Sequence, residues 1–177
     1  MPYWEIQDEP FTCYPAIGTG AAIAPAMVEP GDLALASKGA VATSDSELAS
    51  ERGSTAKAID GIISSPEDFS NRWHSSIETP HPHWIQVKLP KPERVSRIVI
   101  RFADPAGHPV SFQGIISVNG NDHVVFDVKQ YTDWREYRTI INPTVTDTFR
   151  LVILESASAT YPNAAQVSEI ELYSERK

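Results

Sequence analysis

The sequence predicts an all-β protein built as an antiparallel β-sandwich, and three observations carry that expectation. Short runs of apolar residues alternate with polar ones at a period of two, the signature of half-buried strands. Gly, Pro, Asn and Asp separate these runs at short intervals, as in sandwiches and barrels. Helical periodicity never extends beyond a turn or two, near Thr55–Ile59, so the crossover helices of a βαβ architecture are missing.

The first 31 residues carry Pro2, Pro10, Pro15, Pro25 and Pro30 with Gly18 and Gly20, a density that breaks helices and central strands alike. We read residues 1–31 as an arm or linker and 32–177 as the domain. Tyr3, Trp4, Phe11 and Tyr14 in the arm favour its packing against the domain, because solvating that much apolar surface is unfavourable. Leu33–Ala36 and Ala40–Thr43 form a weak opening pair, followed by a polar loop over Ser44–Thr55. Trp84–Leu89 places Ile85, Val87 and Leu89 on one face. Val95–Phe102 places Ile98, Ile100 and Phe102 inward, with Arg97 and Arg101 outward. Strands at Phe112–Val118 and Val124–Val128 flank Asn119-Gly120, a strong hairpin signal. Trp134–Ile141, Thr148–Leu154 and Val167–Tyr173 complete the set. Trp73 and Trp84 are expected in the core, where large aromatics dominate.

The chain has 177 residues, 41% of them hydrophobic, enough for one sizeable core. Its formal net charge of −8 opposes nucleic-acid and anionic-membrane partners, so a neutral ligand fits better. No bilayer-entering spike or run of membrane-span length is present, and the opening residues do not read as a signal peptide. Cys13 is the only cysteine, which excludes an intrachain disulfide and a cysteine-based zinc site. The pair His81 and His83 lacks a visible third ligand for zinc. No nucleophile elbow, phosphate loop or zinc-protease motif appears, and we expect a non-catalytic domain.

Lys57-Ala58-Ile59-Asp60-Gly61, Asp68–Trp73 and the distant Ser168-Glu169 together read as an oxygen-lined ion clamp. Asp60, Asn71 and Glu169 supply hard side-chain oxygens, and the carbonyls of Lys57 and Asp68 could fill the remaining positions around a Ca²⁺-sized ion. Taken singly, each residue also suits an ordinary turn or a solvated strand end.

The order Leu33–Ala36, Ala58-Ile59-Asp60-Gly61, Asn71-Arg72-Trp73, His83–Leu89 and Ser168–Leu172 resembles a discoidin domain, also called the coagulation-factor C-type domain. Within that family it is most similar to the bacterial family thirty-two carbohydrate-binding modules and to the galactose-binding domain of galactose oxidase. The resemblance spans roughly Pro30 to Tyr173. It implies a jelly roll of about eight strands, with a structural Ca²⁺ and the ligand-binding loops at one end. The implied ion ligands are the Lys57, Asp68 and Ser168 carbonyls, Asn71, and the Asp60 and Glu169 carboxylates. Three departures stand out: Asn71 replaces the usual Thr or Ser, Ile62–Glu67 lengthens a loop, and Lys88-Leu89-Pro90 replaces Asp-Leu-Gly.

A sugar site needs an exposed aromatic and a few fixed polar groups. Tyr161, on the loop the resemblance places at the ligand end, is the aromatic candidate, its alternative role being to seal the sandwich edge. His74, expected to point outward beside Trp73, joins Arg101, Asp104, His108 and Asn163 as polar candidates. The resemblance implies a carbohydrate-binding module that holds an attached glycoside hydrolase or lyase at a neutral glycan, galactose-type or other. Such a protein would be secreted or at the cell surface. A discoidin-type protein-interaction or adhesion domain is the alternative, and a glycan-active enzyme the third class.

Overall fold

The computed structural model describes residues 26–48, 53–102 and 104–174. The aromatics of the expected arm, Tyr3 to Tyr14, lie outside the described residues. Ten strands follow in order: β1 (Ala26–Met27), β2 (Val41–Ser44), β3 (Ile62–Ile63), β4 (Trp73–His74), β5 (His83–Arg101), β6 (Pro109–Val118), β7 (Asn121–Val128), β8 (Glu136–Ser156), β9 (Gln166–Val167) and β10 (Glu169–Tyr173). Every pairing among them is antiparallel.

The sandwich is organised by β5 and β8, each of which unites two strands expected separately. The first half of β5 pairs β2 and the later half of β8, and its second half pairs β10 and the early half of β8. Its register breaks between Lys88 and Glu93, where Pro90 and Pro92 remove ladder donors and let the strand bend. The sequence marks this bend as a strand end, although the chain continues through it. Val167–Tyr173 departs in the opposite sense and divides at Ser168 into β9, which pairs β4, and β10, which pairs β5.

The core takes the alternating residues of both layers. Ile85, Val87, Ile98, Ile100, Phe112, Phe149, Leu151, Ile153, Ile170 and Leu172 are all buried, and so is Trp73, its indole N–H donating to the Ser46 carbonyl at 3.0 Å. Trp84 departs from expectation: it is half-buried on the outer face, with the Arg150 guanidinium 5.7 Å from its ring. The physical reason is strand parity, since Ile85 facing inward forces Trp84 outward. At Gly114 a Cβ would stand 2.2 Å from the Phe126 ring, so glycine lets that aromatic lie across the neighbouring strand. The turn between β6 and β7 uses Asn119 at φ 51° and Gly120 at φ 80°, the left-handed pair a two-residue hairpin needs.

Leu33–Ala36 forms no strand. The Leu33 N–H donates to the Leu172 carbonyl at 2.8 Å, and the chain turns in a 3₁₀ segment, Ala36–Lys38, before Gly39 at φ 92°. Residues 26–31, read with the arm from sequence, join the domain: β1 pairs β3, and Glu29 bridges Arg97 and Arg138 at 2.8 and 2.6 Å.

Candidate functional site

Two sites adjoin at the end where the loops gather. The first is the expected ion clamp. A 3₁₀ turn over Thr55–Ile59 delivers Asp60, and Gly61 at φ 86° reverses the chain so that its N–H donates to Glu169 Oε1 at 2.9 Å. Only glycine takes that φ without strain. Asp60 Oδ1 accepts from the Ile62 N–H at 2.9 Å, and its Oδ2 lies 3.5 Å from Lys57 Nζ. Asn71 donates its amide to the Ile62 carbonyl at 3.1 Å, so its side-chain oxygen faces away from that bond. Ser168 accepts from the Ser64 N–H through Oγ at 2.7 Å.

Glu169 is fully buried, and its Oε2 has no hydrogen-bond partner. Burial raises its pKa to about 9; the Gly61 N–H opposes the shift, and the carboxylates of Asp60, Asp32 and Glu171 add to it. A buried carboxylate with an orphaned oxygen is the chemistry that a hard cation relieves, and the residues present fit Ca²⁺ in donor type. Among the described residues no group of three His, Cys, Asp or Glu converges, so an ion here needs amide and carbonyl oxygens as well. Asp68 is a correction. Its carbonyl already accepts from Ser64 Oγ at 2.6 Å and from Arg72 Nη2 and Nε at 2.9 and 3.3 Å, which occupies both lone pairs.

The second site is a cleft of about 580 Å³ between the loops. His74 enters it from β4, Asp104 and Ala106 from the β5–β6 loop, Ala157 to Tyr161 from the segment after β8, and Gln166 from β9. Phe69 and Tyr161, each 52% exposed, stand on its walls. His74 does not point freely outward: it is half-buried, its Nδ1 is 2.8 Å from the Ser75 carbonyl, and burial lowers its pKa.

Three further candidates do not line the cleft. Arg101 lies on the outer face of β5 among Glu136, Glu29 and Glu171, the last 2.5 Å from its Nε, because outward strand positions face the incoming N-terminal segment. His108 is buried at the foot of β6, with Nδ1 3.3 Å from the Pro105 carbonyl. Asn163 acts through its backbone: its carbonyl is 2.7 Å from His83 Nε2, while His83 Nδ1 is 2.6 Å from Asp45 Oδ2. His83 thereby ties the Tyr161 loop to the loop after β2. Both of its ring nitrogens are engaged, which removes His81 and His83 as a metal pair.

Phe69, Arg72 and Gln166 were not legible as site residues. Arg72 is fully buried, a placement its residue type does not suggest. Its guanidinium donates to the carbonyls of Ser65, Pro66 and Asp68 and lies 4.6 Å from the centre of the Phe69 ring, propping that ring at the cleft. The only sequence signal for this was the aromatic in an otherwise polar loop.

A model of the F5/8 type C domain family matches residues 40–170. The chain belongs to that family. Similar solved structures include CpGH89CBM32-5 from Clostridium perfringens in complex with GalNAc-β-1,3-galactose, at 18% identity and a TM-score of 0.66, covering 81% of this chain and 100% of that one. The family 32 module of C. perfringens NanJ, in complex with galactose, is equally similar at 18% and 0.66, covering 81% of this chain and 98% of that one. Chitosan-binding module 2 from a chitosanase/glucanase of Paenibacillus sp. IK-5, in complex with chitotriose, follows at 19% and 0.65, covering 81% and 100%. At these identities the likeness establishes the fold alone, a β-sandwich shared with those modules. Among curated proteins no sequence relative matches. Among the described residues no helix is long and apolar enough to cross a membrane.

Proposed function

We propose that this F5/8 type C domain is a non-catalytic carbohydrate-binding module that holds an attached glycoside hydrolase or lyase at a neutral glycan, secreted or at the cell surface. The observation that carries the reading is the cleft itself. Two exposed aromatics offer faces for the apolar C–H side of a sugar ring, and Asp104, Gln166 and His74 offer fixed polar groups for its hydroxyls. The described cleft lining contains one carboxylate, Asp104, whereas most glycoside hydrolysis uses a pair. The similar modules in complex with galactose, with GalNAc-β-1,3-galactose and with chitotriose support a sugar as the ligand class. The fold also matches part of a longer chain, SpGH29, of which it covers 28% at a TM-score of 0.65, which supports an attached enzyme.

In the same reading a structural Ca²⁺ binds between Asp60 and Glu169, with Asn71 and the carbonyls of Lys57 and Ser168 as the remaining protein ligands. When bound, the ion supplies the positive charge that Glu169 lacks. The chain's own residues do the rest: Gly61 holds one Glu169 oxygen, and Ser168 fixes Ser64 beside the loop that carries Phe69.

A glycan array followed by titration with galactose, N-acetylgalactosamine and chitooligosaccharides tests the function. The expected result is weak binding to at least one neutral sugar, reduced about tenfold or more by Phe69→Ala or Tyr161→Ala, as the loss of a sugar-stacking face implies. No binding to any glycan, or binding unchanged by both substitutions, contradicts the reading.

A further inference from the structure

The polar groups of the cleft are joined beneath its surface. Arg72 Nη1 donates to Gln166 Oε1 at 2.9 Å, and Gln166 Nε2 donates to Asp104 Oδ2 at 3.2 Å. A guanidinium only donates and a carboxylate only accepts, so the Gln166 amide has one permitted orientation, with its oxygen toward Arg72 and its nitrogen toward Asp104. Asp104 Oδ1 is held independently by the Ala106 N–H at 2.8 Å. Behind the pair, Gly107 leaves no room for a side chain: a Cβ there would stand 2.8 Å from Asp104 Oδ2 and 2.9 Å from Gln166 Nε2.

We propose that Arg72, Gln166 and Asp104 form a positioning relay that makes Asp104 the specificity-determining acceptor of the cleft, selecting neutral sugars over sugar acids. The inference rests on the sugar-binding reading above and adds the residues that select a neutral sugar there. Hydrogen bonds in such a chain polarise one another, so Asp104 is held with lone pairs aimed at hydroxyl donors and without a rotamer search on binding. Among the described residues that line the cleft there is no Lys or Arg. Arg72, which interacts electrostatically with Asp104, is fully buried with its N–H groups committed to Gln166 and loop carbonyls, so none is left to pair a ring carboxylate, and burial disfavours the charged form of His74. A carboxylated ring therefore meets a fixed negative charge in a partly desolvated cleft, where like charges repel most strongly. Glutamine at 166 is required by its two-sided chemistry: leucine orphans both neighbours, and glutamate sets a second carboxylate against Asp104.

Calorimetric titration of the domain with methyl β-galactoside and methyl β-galacturonoside, which differ only in oxidation at C6, tests the inference. The wild type is expected to bind the galactoside at least about tenfold more tightly than the uronoside. Asp104→Asn should bring that ratio toward one. Asp104→Ala and Gln166→Leu should each weaken galactoside binding by about tenfold or more, as loss of a hydrogen bond to a charged group implies. The double variant should lose no more than the worse single, because both act through one acceptor. Gly107→Ala reaches the same pair from behind and should reproduce the loss, with circular dichroism and melting curves confirming a folded chain. Equal affinity of the wild type for the two glycosides overturns the inference, as do wild-type selectivity in Gln166→Leu or additive losses in the double variant. A wild type that binds neither glycoside, with an array silent for every glycan, removes the sugar-binding reading and this inference with it.

Discussion

Glu169 and Glu171 stand two residues apart on the same face of β10, both without exposed surface. Glu171 is completed by the protein: Arg101 Nε donates to one oxygen at 2.5 Å and the Tyr173 hydroxyl to the other. Glu169 has only the Gly61 N–H, on one oxygen, and its pKa is raised to about 9. The same residue type at the same depth therefore makes a closed ion pair in one place and keeps one carboxylate oxygen without a hydrogen-bond partner in the other. The difference is what each neighbouring loop delivers. β5 and the N-terminal segment bring Arg101, with Glu29 and Glu136 around it, to Glu171. The Asp60-Gly61 turn brings Glu169 a second carboxylate and one N–H, an environment that favours a cation over a side-chain partner.

The contrast is broken most severely by Glu171→Ala. Removing one partner of a buried pair leaves Arg101 undercompensated and the Tyr173 hydroxyl with only the Glu29 carbonyl, 3.2 Å away, an expected loss of about 3 kcal/mol, moderated because Glu136 remains beside Arg101. Urea unfolding measures it, and an unchanged midpoint would show that the pair contributes nothing net.

The pH dependence sharpens the comparison at Glu169. Its carboxyl is raised in the folded, metal-free protein, so the folded state holds a proton that the unfolded state releases from about pH 4.5 upward. Metal-free stability should accordingly fall as pH rises between about 4.5 and 9, by up to ~1.4 kcal/mol per pH unit from this group. Calcium must displace that proton, so its stabilising effect should grow over the same window, and Glu169→Gln should flatten both trends. Melting curves in EDTA and in calcium at pH 6 and 8.5 read this out.

The smallest effect belongs to Glu29, which Arg138 and Arg97 hold near a pKa of about 2 on a largely solvated surface. Its folded-state pKa is depressed, so its contribution is present above about pH 4.5 and is lost as pH falls toward 2. Glu29→Gln should cost no more than about 1 kcal/mol at neutral pH, because exposed pairs are screened.

Much of this fold was legible because period two is enforced by strand geometry. Ile85, Val87 and Leu89 point inward, and so do Ile98, Ile100 and Phe102. Parity also placed Trp84 outward, and weighing residue type above register was the error there. The bend at Pro90–Pro92 was hidden because prolines that end most strands here bend one that continues past them. At the site, strand parity pointed to His74 and the family resemblance to Asp104 and Tyr161, which share one cleft, but neither could find Gln166 or Arg72. Their roles depend on loop carbonyls and on partners up to 94 residues away, as in the Arg72–Gln166 bond, and no local pattern encodes these. Arg101 was misplaced for the same reason: its outward position was readable, and the acidic segment waiting for it was not.

We propose that a cation completes Glu169, whereas the chain itself completes Glu171. Melting temperature against calcium concentration at pH 8, for the wild type and Glu169→Gln, tests it most directly. The account predicts a saturable rise in the wild type, reversed by EDTA and absent in Glu169→Gln. A flat wild-type curve, or an equal rise in both proteins, would contradict it.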